Sequence, residues 1–328
     1  MSSVHAIRIH QTGGPEVLSW ESVEVGDPGP GQVRVRHTAV GLNYIDTYHR
    51  SGLYPVTLPS GLGLEAAGVI EAVGQGVTGW AEGDRVAYGT GPLGAYSEAR
   101  VMAPDTLLRL PDAIDDRTAA AMMLQGLTAQ YLIRRLFRVE PGMTVLFHAA
   151  AGGVGLIASQ WLKHLGATVI GTVGSPAKAE LARAHGCDHT ILYRDEDFVA
   201  RVKEITNGAG VPVVYDGVGK DVFGGSLDCL ARLGMMVTYG NASGPVPDVS
   251  PLTLSAKGSL FLTRPTLMHY AATRAELAAM ADDLFAVVAS GAVRIAVNQT
   301  YALKDAAQAQ RDLEARKTTG STVLLPGG

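Results

Sequence analysis

The chain has 328 residues, of which 47% are hydrophobic and 18% are charged, and its formal net charge is −4. This composition excludes a disordered polyelectrolyte, and the lack of a basic excess argues against nucleic-acid binding. Glycine supplies 40 residues, about one in eight against a usual ~7%, which indicates tight turns and close approaches of the main chain. At about 150 residues per domain, the length predicts two domains.

The cysteines and the lengths of the apolar segments indicate the cellular compartment of the protein. Cys187 and Cys229 do not form a CxxC pair, so we expect neither a structural zinc lobe nor a disulfide framework. Two lone thiols suit a reducing compartment, and we predict a cytoplasmic protein. The first residues lack the basic and apolar regions of a signal peptide, and the sequence has no run of about 18 apolar residues. We therefore expect no membrane partner.

The first 110 residues are predicted to be rich in β-strands. Apolar or alternating runs at Ala6–His10, Val33–Arg36 and Glu65–Val73 are separated by clusters of glycine and proline, a pattern typical of strands. Gly83–Val86 is interpreted as a turn that enters another strand. Helical periodicity does not extend over more than about ten residues in this region.

A regular alternation of helices and strands follows, after predicted helices within residues 117–137. The predicted elements are strands Thr144–His148, Thr168–Val173, Thr190–Leu192, Val211–Tyr215, Met235–Tyr239 and Leu260–Leu262, and helices Val154–Leu165, Pro176–His185, Asp197–Thr206 and Val222–Leu230. Strands that alternate with helices in this way predict an α/β fold with a doubly wound parallel sheet.

The last segment loses this alternation after about Pro265. Its predicted elements are a helix at Arg274–Ser290, strands near Ile295 and Tyr301, a helix at Lys304–Glu314 and a strand at Thr322–Leu325. Because the segment ends in a lone strand, we expect it to return to the first domain.

The strongest local motif joins strand Thr144–His148 to the helix after it. On a GxGxxG fingerprint, Ala150, Gly152 and Gly155 take the three glycine positions, with Gly153 and Val154 inside the motif. The second glycine lets the backbone approach a pyrophosphate, and the third lets the helix pack closely on the strand. The motif predicts dinucleotide binding at the helix N-terminus; the alternative is a glycine-rich turn without a ligand. His148 is interpreted as a core histidine with hydrogen-bond partners.

The end of the next strand distinguishes the two nicotinamide cofactors. An NAD site carries Asp or Glu about 20 residues after the first glycine, whereas Thr172–Lys178 contains no carboxylate. Ser175 suits a helix N-cap and Pro176 suits the next position. The helix N-terminus, the Ser175 hydroxyl and the Lys178 ammonium together favour a 2′-phosphate, so we predict NADPH. In the alternative, Ser175 and Pro176 only cap the helix and Lys178 is solvated.

Metal ligands and hydrolase motifs are missing. No cysteine precedes Cys187, the histidines at positions 5, 10, 37 and 49 have no ligand spacing, and GxSxG is absent. We therefore expect no metal. Hydride transfer without a Lewis acid favours conjugated acceptors, such as quinones or enones, because the developing charge spreads over their π-system.

Several longer segments carry a family resemblance. They are residues 13–18, 41–55, 124–128, 149–155 with Gln160 and Lys163, 214–216, 240–241 and 263–265. Together they resemble the zinc-independent quinone oxidoreductases (ζ-crystallin-like) of the medium-chain dehydrogenase/reductase superfamily. Zinc-dependent relatives have a histidine before the equivalent of Glu65, where this chain has Leu64. Gly217 and Ala242 stand where close relatives often have serine, so a hydroxyl contact to cofactor is lost there.

The resemblance implies two domains and a set of cofactor contacts. Residues 1–125 and 265–328 would form a GroES-like, β-rich catalytic domain, and residues 126–264 a Rossmann NADPH-binding domain, with the nicotinamide in the cleft between them. The implied contacts at the nicotinamide end are Asn43, Tyr44, Ile45, Asp46 and Tyr48, with Thr128 and Tyr131 nearby. Gly153 and Val154 would contact the pyrophosphate. The implied contacts to the rest of the cofactor are Gly174, Ser175, Lys178 and Tyr193 at the 2′-phosphate end, and Asn241, Arg264 and Arg316 on the far side.

These features predict an NADPH-dependent quinone reductase that transfers a hydride without a metal. A hydroxyl of Tyr48 or Tyr54, or the amide of Asn43, would hydrogen-bond the developing oxyanion. Each assignment has a simpler alternative: the tyrosines pack in a β-rich domain, Asn43 is a turn residue, and Arg264 and Arg316 are surface charges.

Two other functions remain open, and the oligomeric state is a further expectation. One is a zinc-free enone or 2-alkenal reductase, and the other is a cofactor-bound binding protein, such as an RNA binder or a structural protein. The negative net charge counts against RNA. The resemblance implies a homodimer, and an open sheet edge at Met235–Tyr239 or Leu260–Leu262 would allow pairing.

Overall fold

The computed structural model describes residues 2–327, which divide into two compact units. Unit 1 holds residues 2–127, 271–289 and 295–327 of the described range, and unit 2 holds residues 128–270 and 290–294. None of the helices within residues 2–327 is both long enough and apolar enough to cross a membrane.

The first 110 residues are mostly strands, as predicted. The strands are β1 (Ser2–Ile9), β2 (Ser19–Val25), β3 (Val33–Leu42), β4 (Ser60–Gly61), β5 (Ala66–Val73), β6 (Arg85–Tyr88), β7 (Ala99–Met102) and β8 (Leu108–Arg109). One helix, α1 (Tyr44–Ser51), lies among them and was not predicted. It begins after Asn43 and ends at Gly52, whose φ of +84° suits glycine. Ile45 is the only aliphatic residue among its eight, so no apolar stripe reveals it.

The predicted helices of residues 117–137 and the alternation after them are confirmed. The elements are α2 (Asp116–Ala120), α3 (Met123–Gln130), a π-helical segment (Tyr131–Leu136), β9 (Thr144–Phe147), α4 (Gly153–His164), β10 (Thr168–Val173), α5 (Pro176–Ala184), β11 (His189–Leu192), α6 (Phe198–Ile205), β12 (Val211–Asp216), α7 (Phe223–Cys229), β13 (Leu230–Thr238), α8 (Pro251–Ala256) and β14 (Phe261–Thr263). The six strands pair in parallel in the order β11-β10-β9-β12-β13-β14.

This order corrects one alternative for the open edge. The segment Met235–Tyr239 falls largely within β13, which pairs with β12 on one side and β14 on the other. It therefore has no free edge, and the edge on this side of the sheet belongs to β14. Phe261 in β14 is 55% exposed.

The last segment contributes strands to unit 1. Its elements are α9 (Leu267–Tyr270), α10 (Arg274–Ala289), β15 (Val297–Ala302), α11 (Ala306–Glu314) and β16 (Ser321–Leu325). β16 pairs antiparallel with β3, and β15 pairs parallel with β16. The sheet order is β15-β16-β3-β5-β6-β8, with β7 also on β3, and a second sheet has the order β2-β1-β4. The strand predicted near Ile295 is wrong, because Ile295 precedes β15 in irregular backbone.

Each unit has a core built from its own strands. In unit 1, Ile9, Val35 and Ile70 pack in one apolar cluster with Leu303 and Leu324 from the end of the chain. A separate cluster in unit 2 contains Leu146, Ile170 and Val214 from β9, β10 and β12, among other residues. The burial of these strands on both faces explains their nearly continuous apolar sequences.

His148 is the core histidine that the sequence predicted. It is fully buried, its Nδ1 lies 2.8 Å from Thr172 Oγ1, and its Nε2 lies 2.9 Å from Ser226 Oγ. Burial lowers its pKa to about 3. A neutral imidazole with both nitrogens engaged is a structural element of unit 2.

An ion pair joins α1 to α11 across 264 positions of sequence. Arg50, which is 2% exposed, donates to both carboxylate oxygens of Glu314, at 2.7 and 3.2 Å. It also donates to Gln310 Oε1 at 2.7 Å and to the Gly13 carbonyl at 3.1 Å. These bonds fasten the C-terminal helix of unit 1 to the helix that follows Asn43.

We predict that Arg50→Met lowers the free energy of unfolding by about 2–4 kcal/mol, because three buried or half-buried acceptors lose their donor. Lys317→Met is the matched control: Lys317 is 69% exposed in its pair with Asp312, and such a pair contributes less than about 1 kcal/mol. Urea unfolding of both variants measures the difference. Equal losses in the two variants would contradict this account of the α1–α11 contact.

Candidate active site

Helix α1 carries the residues predicted for the nicotinamide end. Tyr44 and Tyr48 lie one turn apart with ring centroids 5.6 Å from each other, and the rings of Tyr48 and Tyr54 meet edge to face at 5.2 Å. The Tyr54 N–H donates to the Tyr48 carbonyl at 3.0 Å. Ile45 on the same helix is half-buried. The structure thus brings the two predicted catalytic tyrosines together in unit 1.

Asn43, immediately before α1, is the centre of a buried hydrogen-bond network. Its side-chain Nδ2 donates to Glu65 Oε2 at 2.5 Å, and its Oδ1 accepts from Gln125 Nε2 at 3.1 Å. Its backbone N–H donates to Asp46 Oδ2 at 2.9 Å. Asn43 is only 4% exposed. It is more than the turn residue of the alternative interpretation, because both ends of its amide are engaged.

Glu65 and Gln125 were not predicted as site residues. Glu65 follows a glycine-rich turn and is fully buried, and its Oε1 accepts from the Leu124 N–H at the start of α3 at 2.8 Å. Gln125 lies one residue further along α3, and its Oε1 is 2.6 Å from the hydroxyl of Ser321 in β16. Gln125 lies in a segment that carries the family resemblance, and Glu65 was noted only as the residue after Leu64. Neither observation reveals burial or contact with Asn43.

The two carboxyl groups beside Asn43 have raised pKa values. Burial raises the pKa of Glu65 to about 8, although hydrogen bonds from Asn43 and from backbone N–H groups act in the opposite direction. Burial likewise raises the pKa of Asp46 to about 7, against hydrogen bonds from Asn43 and Tyr96. Asp46 Oδ2 accepts from the Tyr96 hydroxyl at 2.8 Å, while Oδ1 is buried without a partner among the described residues.

The predicted residues of unit 2 gather at the carboxyl edge of the parallel sheet. Gly152 caps α4 after β9, and Gly153 is its first helical residue. A methyl group on Gly155 would lie 2.5 Å from the Ala149 carbonyl oxygen, whereas one on Gly152 would lie 3.2 Å from the same atom. Gly155 therefore permits close packing of α4 against the preceding turn, the function assigned to the third glycine. Val154 lies in the first turn of the same helix.

The end of β10 has the features predicted for a 2′-phosphate. Ser175 caps α5, and its hydroxyl accepts from the Lys178 N–H. A methyl group on Gly174 would lie 3.0 Å from the Tyr193 hydroxyl and 3.5 Å from Arg194 Nε. Tyr193, which follows β11, and Gly174 thus lie beside each other at this helix N-terminus. Arg194 was not predicted, and it adds a second cationic side chain to the same end of the sheet.

Three further residues lie at or just after the carboxyl ends of β12, β13 and β14. Asp216 ends β12, and its Oδ1 accepts from the N–H groups of Val218 and Gly219 at 2.7 and 3.0 Å. Asn241, with its amide oriented to satisfy both neighbours, donates to the Gly240 carbonyl at 3.0 Å and accepts from Arg264 Nη2 at 3.3 Å. Arg264 also lowers the pKa of Asp216, although burial raises it overall to about 6.

The remaining predicted residues fall in different units. Thr128 and Tyr131 belong to unit 2, where both are buried and Tyr131 stacks on Tyr270 with ring centroids 4.6 Å apart. Arg316 belongs to unit 1, where its charge lowers the pKa of Tyr44 while burial raises it. Arg316 has a φ of +59°, an uncommon conformation for a residue other than glycine.

The side chains present do not suit a zinc ion. The part of the chain that the structure describes contains no group of three or more His, Cys, Asp or Glu side chains placed to hold a metal. Leu64 precedes Glu65, and the oxygens of Glu65 already accept hydrogen bonds from Asn43 and Leu124. Cys187 and Cys229 are buried thiols of unit 2, and burial raises their pKa values to about 11 and about 12.

The raised pKa of Asp46 predicts a pH-dependent stability. Between its ordinary value of 3.8 and about 7, the folded state holds the proton more firmly than the unfolded chain does. Stability therefore falls as the pH rises through this window, by up to about 1.4 kcal/mol per pH unit from this group. We predict that Asp46→Asn makes this fall shallower.

Urea unfolding at several pH values measures that slope. Asp84→Asn is the matched control, because hydrogen bonds from Arg109 and Ala81 hold the pKa of Asp84 below 3.8, so its removal leaves the slope in this window unchanged. An unaltered slope in Asp46→Asn would show that Asp46 is ionised in the folded state throughout.

Comparison with known proteins agrees with this arrangement. Residues 29–112 match the family model "Alcohol dehydrogenase GroES-like domain", and residues 153–286 match "Zinc-binding dehydrogenase". The quinone oxidoreductase of Pseudomonas aeruginosa is 59% identical over 96% of this chain and 97% of its own. The 2-haloacrylate reductase of a Burkholderia species is 48% identical over 98% of this chain and 99% of its own.

A solved structure extends the likeness to the whole fold. Escherichia coli quinone oxidoreductase complexed with NADPH superposes with a TM-score of 0.96 at 50% identity, over 98% of this chain and 100% of that one. The fold is therefore the predicted pairing of a GroES-like domain with a Rossmann domain. On this evidence the chain belongs to the zinc-independent quinone oxidoreductase family of the medium-chain dehydrogenase/reductase superfamily.

Proposed function

We propose that this protein is an NADPH:quinone oxidoreductase that reduces quinones by hydride transfer without a metal. The observation that carries the proposal is the set of groups at the carboxyl edge of the parallel sheet in unit 2. A glycine-rich helix N-terminus follows β9, and a carboxylate-free helix N-terminus with Lys178 and Arg194 follows β10. Two relatives support it, since one is a quinone oxidoreductase and another was solved with NADPH.

The residues of unit 2 fit the cofactor. The N–H groups of Gly153 and Val154, in the first turn of α4, are available to a pyrophosphate, because the first N–H groups of a helix lack intrahelical acceptors. Ser175, Lys178, Tyr193 and Arg194 would hold the 2′-phosphate. Asn241 and Arg264, which hydrogen-bond each other, would contact the cofactor from the ends of β13 and β14, and Thr128 and Tyr131 would contribute from α3 and the π-helical segment.

Unit 1 carries the candidate donors for the acceptor oxygen. When bound, NADPH supplies a hydride from its nicotinamide ring. We assign to Asn43, Tyr48 or Tyr54 the hydrogen bond to the oxygen on which charge develops. Tyr44, Ile45, Asp46 and Arg316 would complete the cofactor contacts of this unit. In domain terms, residues 1–125 and 265–328 would be catalytic and residues 126–264 would bind NADPH.

The oligomeric state and the cellular location of the protein are also part of the proposal. The exposed Phe261 on the edge strand β14 is a surface through which two copies can pair as a homodimer. Both cysteines are free thiols, which suits the cytoplasm. We propose a quinone or enone as the small-molecule partner, and neither nucleic acid nor membrane.

A second acceptor class is supported by one relative. The 48% identical 2-haloacrylate reductase acts, by its name, on an activated alkene conjugated to a carboxylate. An enone or 2-alkenal reductase would use the same hydride and the same absence of metal, so the two candidates differ only in the acceptor.

We predict that NADPH is oxidised when the protein is mixed with small benzoquinones or naphthoquinones, as followed by the near-ultraviolet absorbance of NADPH. Parallel assays with a 2-alkenal and a 2-haloacrylate rank the acceptors, and enzyme-free blanks correct for direct reduction. A higher kcat/KM for either alkene than for every quinone would favour the second candidate. No oxidation above the blank with any acceptor would reject both.

We also predict that Lys178→Ala and Arg194→Ala each weaken NADPH binding by about tenfold, because a charge-assisted contact to the 2′-phosphate is lost. NADH lacks that phosphate, so its affinity should be unchanged. Lys203→Ala, at an exposed position of α6 in the same unit, is the matched control. Calorimetric titration with both cofactors measures the effect, and equal losses for NADPH and NADH would contradict the assigned phosphate site.

A further inference from the structure

We propose that Glu65 and Gln125 are positioning residues that fix the direction of the Asn43 side-chain amide, and that turnover requires this direction. The proposal rests on the proposed function, in which Asn43 contacts the reacting groups. Glu65 and Gln125 themselves are assigned no contact with cofactor or acceptor.

The direction of the amide follows from the chemistry of its two neighbours. Above its raised pKa, Glu65 is an ionised carboxylate, which has only acceptors. The Asn43 group that lies 2.5 Å from Glu65 Oε2 is then the NH₂. The carbonyl of Asn43 then faces Gln125 Nε2 at 3.1 Å. Both neighbours are buried, since Glu65 is fully covered and Gln125 is 8% exposed. A reversed amide would place acceptor against acceptor on one side and donor against donor on the other.

Glu65 is itself held in place from another element. Its second oxygen, Oε1, accepts from the Leu124 N–H at 2.8 Å. Gly41 in β3 lies against the carboxylate, because a methyl group there would be 2.2 Å from Glu65 Oε2. With the backbone on both sides, the carboxylate cannot turn away from Asn43 without leaving a buried acceptor or donor unpaired.

Ser321 is the last member of this chain of hydrogen bonds, and its hydroxyl is compatible with either direction of the two side-chain amides. Its Oγ is 2.6 Å from Gln125 Oε1 and 2.8 Å from the Ala121 carbonyl. A hydroxyl can accept but has only one hydrogen to donate, so in the observed direction Ser321 donates either to Gln125 Oε1 or to the Ala121 carbonyl. If the amides of Asn43 and Gln125 both reversed, Ser321 could accept from Gln125 and still donate to Ala121. When ionised, Glu65 is thus the member of the chain that forbids reversal.

This chemistry defines a pair of substitutions. In Glu65→Gln, the new NH₂ can face Asn43 while the new carbonyl keeps the Leu124 N–H, so Asn43 and Gln125 can reverse. The Asp46 N–H then loses its capping bond to the Asn43 side chain and keeps the Asn43 backbone carbonyl. In Gln125→Glu, a carboxylate lies on each side of the Asn43 amide, so the Asn43 carbonyl faces one of them whichever way the amide points. The double variant Glu65→Gln/Gln125→Glu again pairs both sides of the Asn43 side-chain amide, with the amide reversed.

The experiment measures stability and turnover in the four proteins, at a pH above the raised pKa of Glu65 so that the wild-type carboxylate only accepts. We expect Gln125→Glu to lower the thermal midpoint by several degrees, and the added Glu65→Gln to restore it. We expect kcat to fall by about 100-fold in Glu65→Gln and to stay low in the double variant, as when an oriented donor is lost.

The control is Glu98→Gln, the same substitution at a half-buried carboxylate of unit 1 that accepts from the His5 N–H and has no assigned part in the site; its kcat should match the wild type. Additive losses of stability in the double variant would overturn the proposal, and so would a double variant that regains both stability and kcat. If none of the acceptors supports NADPH oxidation by the wild type, the proposed function fails. A crystal structure of Glu65→Gln with an unreversed network would overturn the positioning proposal independently.

Discussion

The arrangement around Asn43 depends on one buried carboxylate. Glu65 is a fully buried acceptor, and its donors come from Asn43 before α1 and from the backbone at the start of α3. Desolvation opposes the ionised form, which is why the pKa of Glu65 is raised even though several donors face it. Such a group is stable only when its partners are held rigidly, so the same constraint orders the two helices and the amide between them.

The proposed site residues of the two units are positioned in different ways. In unit 2, most of the proposed cofactor contacts follow from parallel strands that all end at one edge, where helix N-termini offer backbone N–H groups. Side-chain identity matters there chiefly at Lys178 and Arg194. In unit 1 the proposed chemistry depends on side chains that long-range contacts place, such as Tyr48 against Tyr54 and Asn43 against Glu65. A small shift of one element disturbs the second kind of site more than the first.

This difference explains how far the sequence could predict the molecule. The alternating strands and helices from β9 to β14 were predicted within a few residues, because buried parallel strands are continuous apolar runs and the cap at Ser175 is a local signal. The short helices α8 and α9 of unit 2 were not predicted. Helix α1 escaped because Ile45 is the only aliphatic residue among its eight, so no apolar stripe reveals it. Glu65 and Gln125 escaped because nothing in the sequence near either one shows that both reach Asn43, 22 and 82 positions away. The pairing of β3 with β5, and the bond from the Leu124 N–H in α3 to Glu65, bring these side chains together.

The ends of the chain complete the environment of Asn43. Ser321 in β16 terminates the amide chain through Gln125, and β16 is held beside β3 by backbone pairing from Val40 to Leu42. Arg50, at the other end of α1, is tied to Glu314 in α11. Residues from the last 15 positions therefore fix both the amide network and the helix that carries the tyrosines. Because a hydroxyl at position 321 accommodates either amide direction while an ionised carboxylate at position 65 accommodates one, Glu65 decides the direction and Ser321 only completes the chain of bonds.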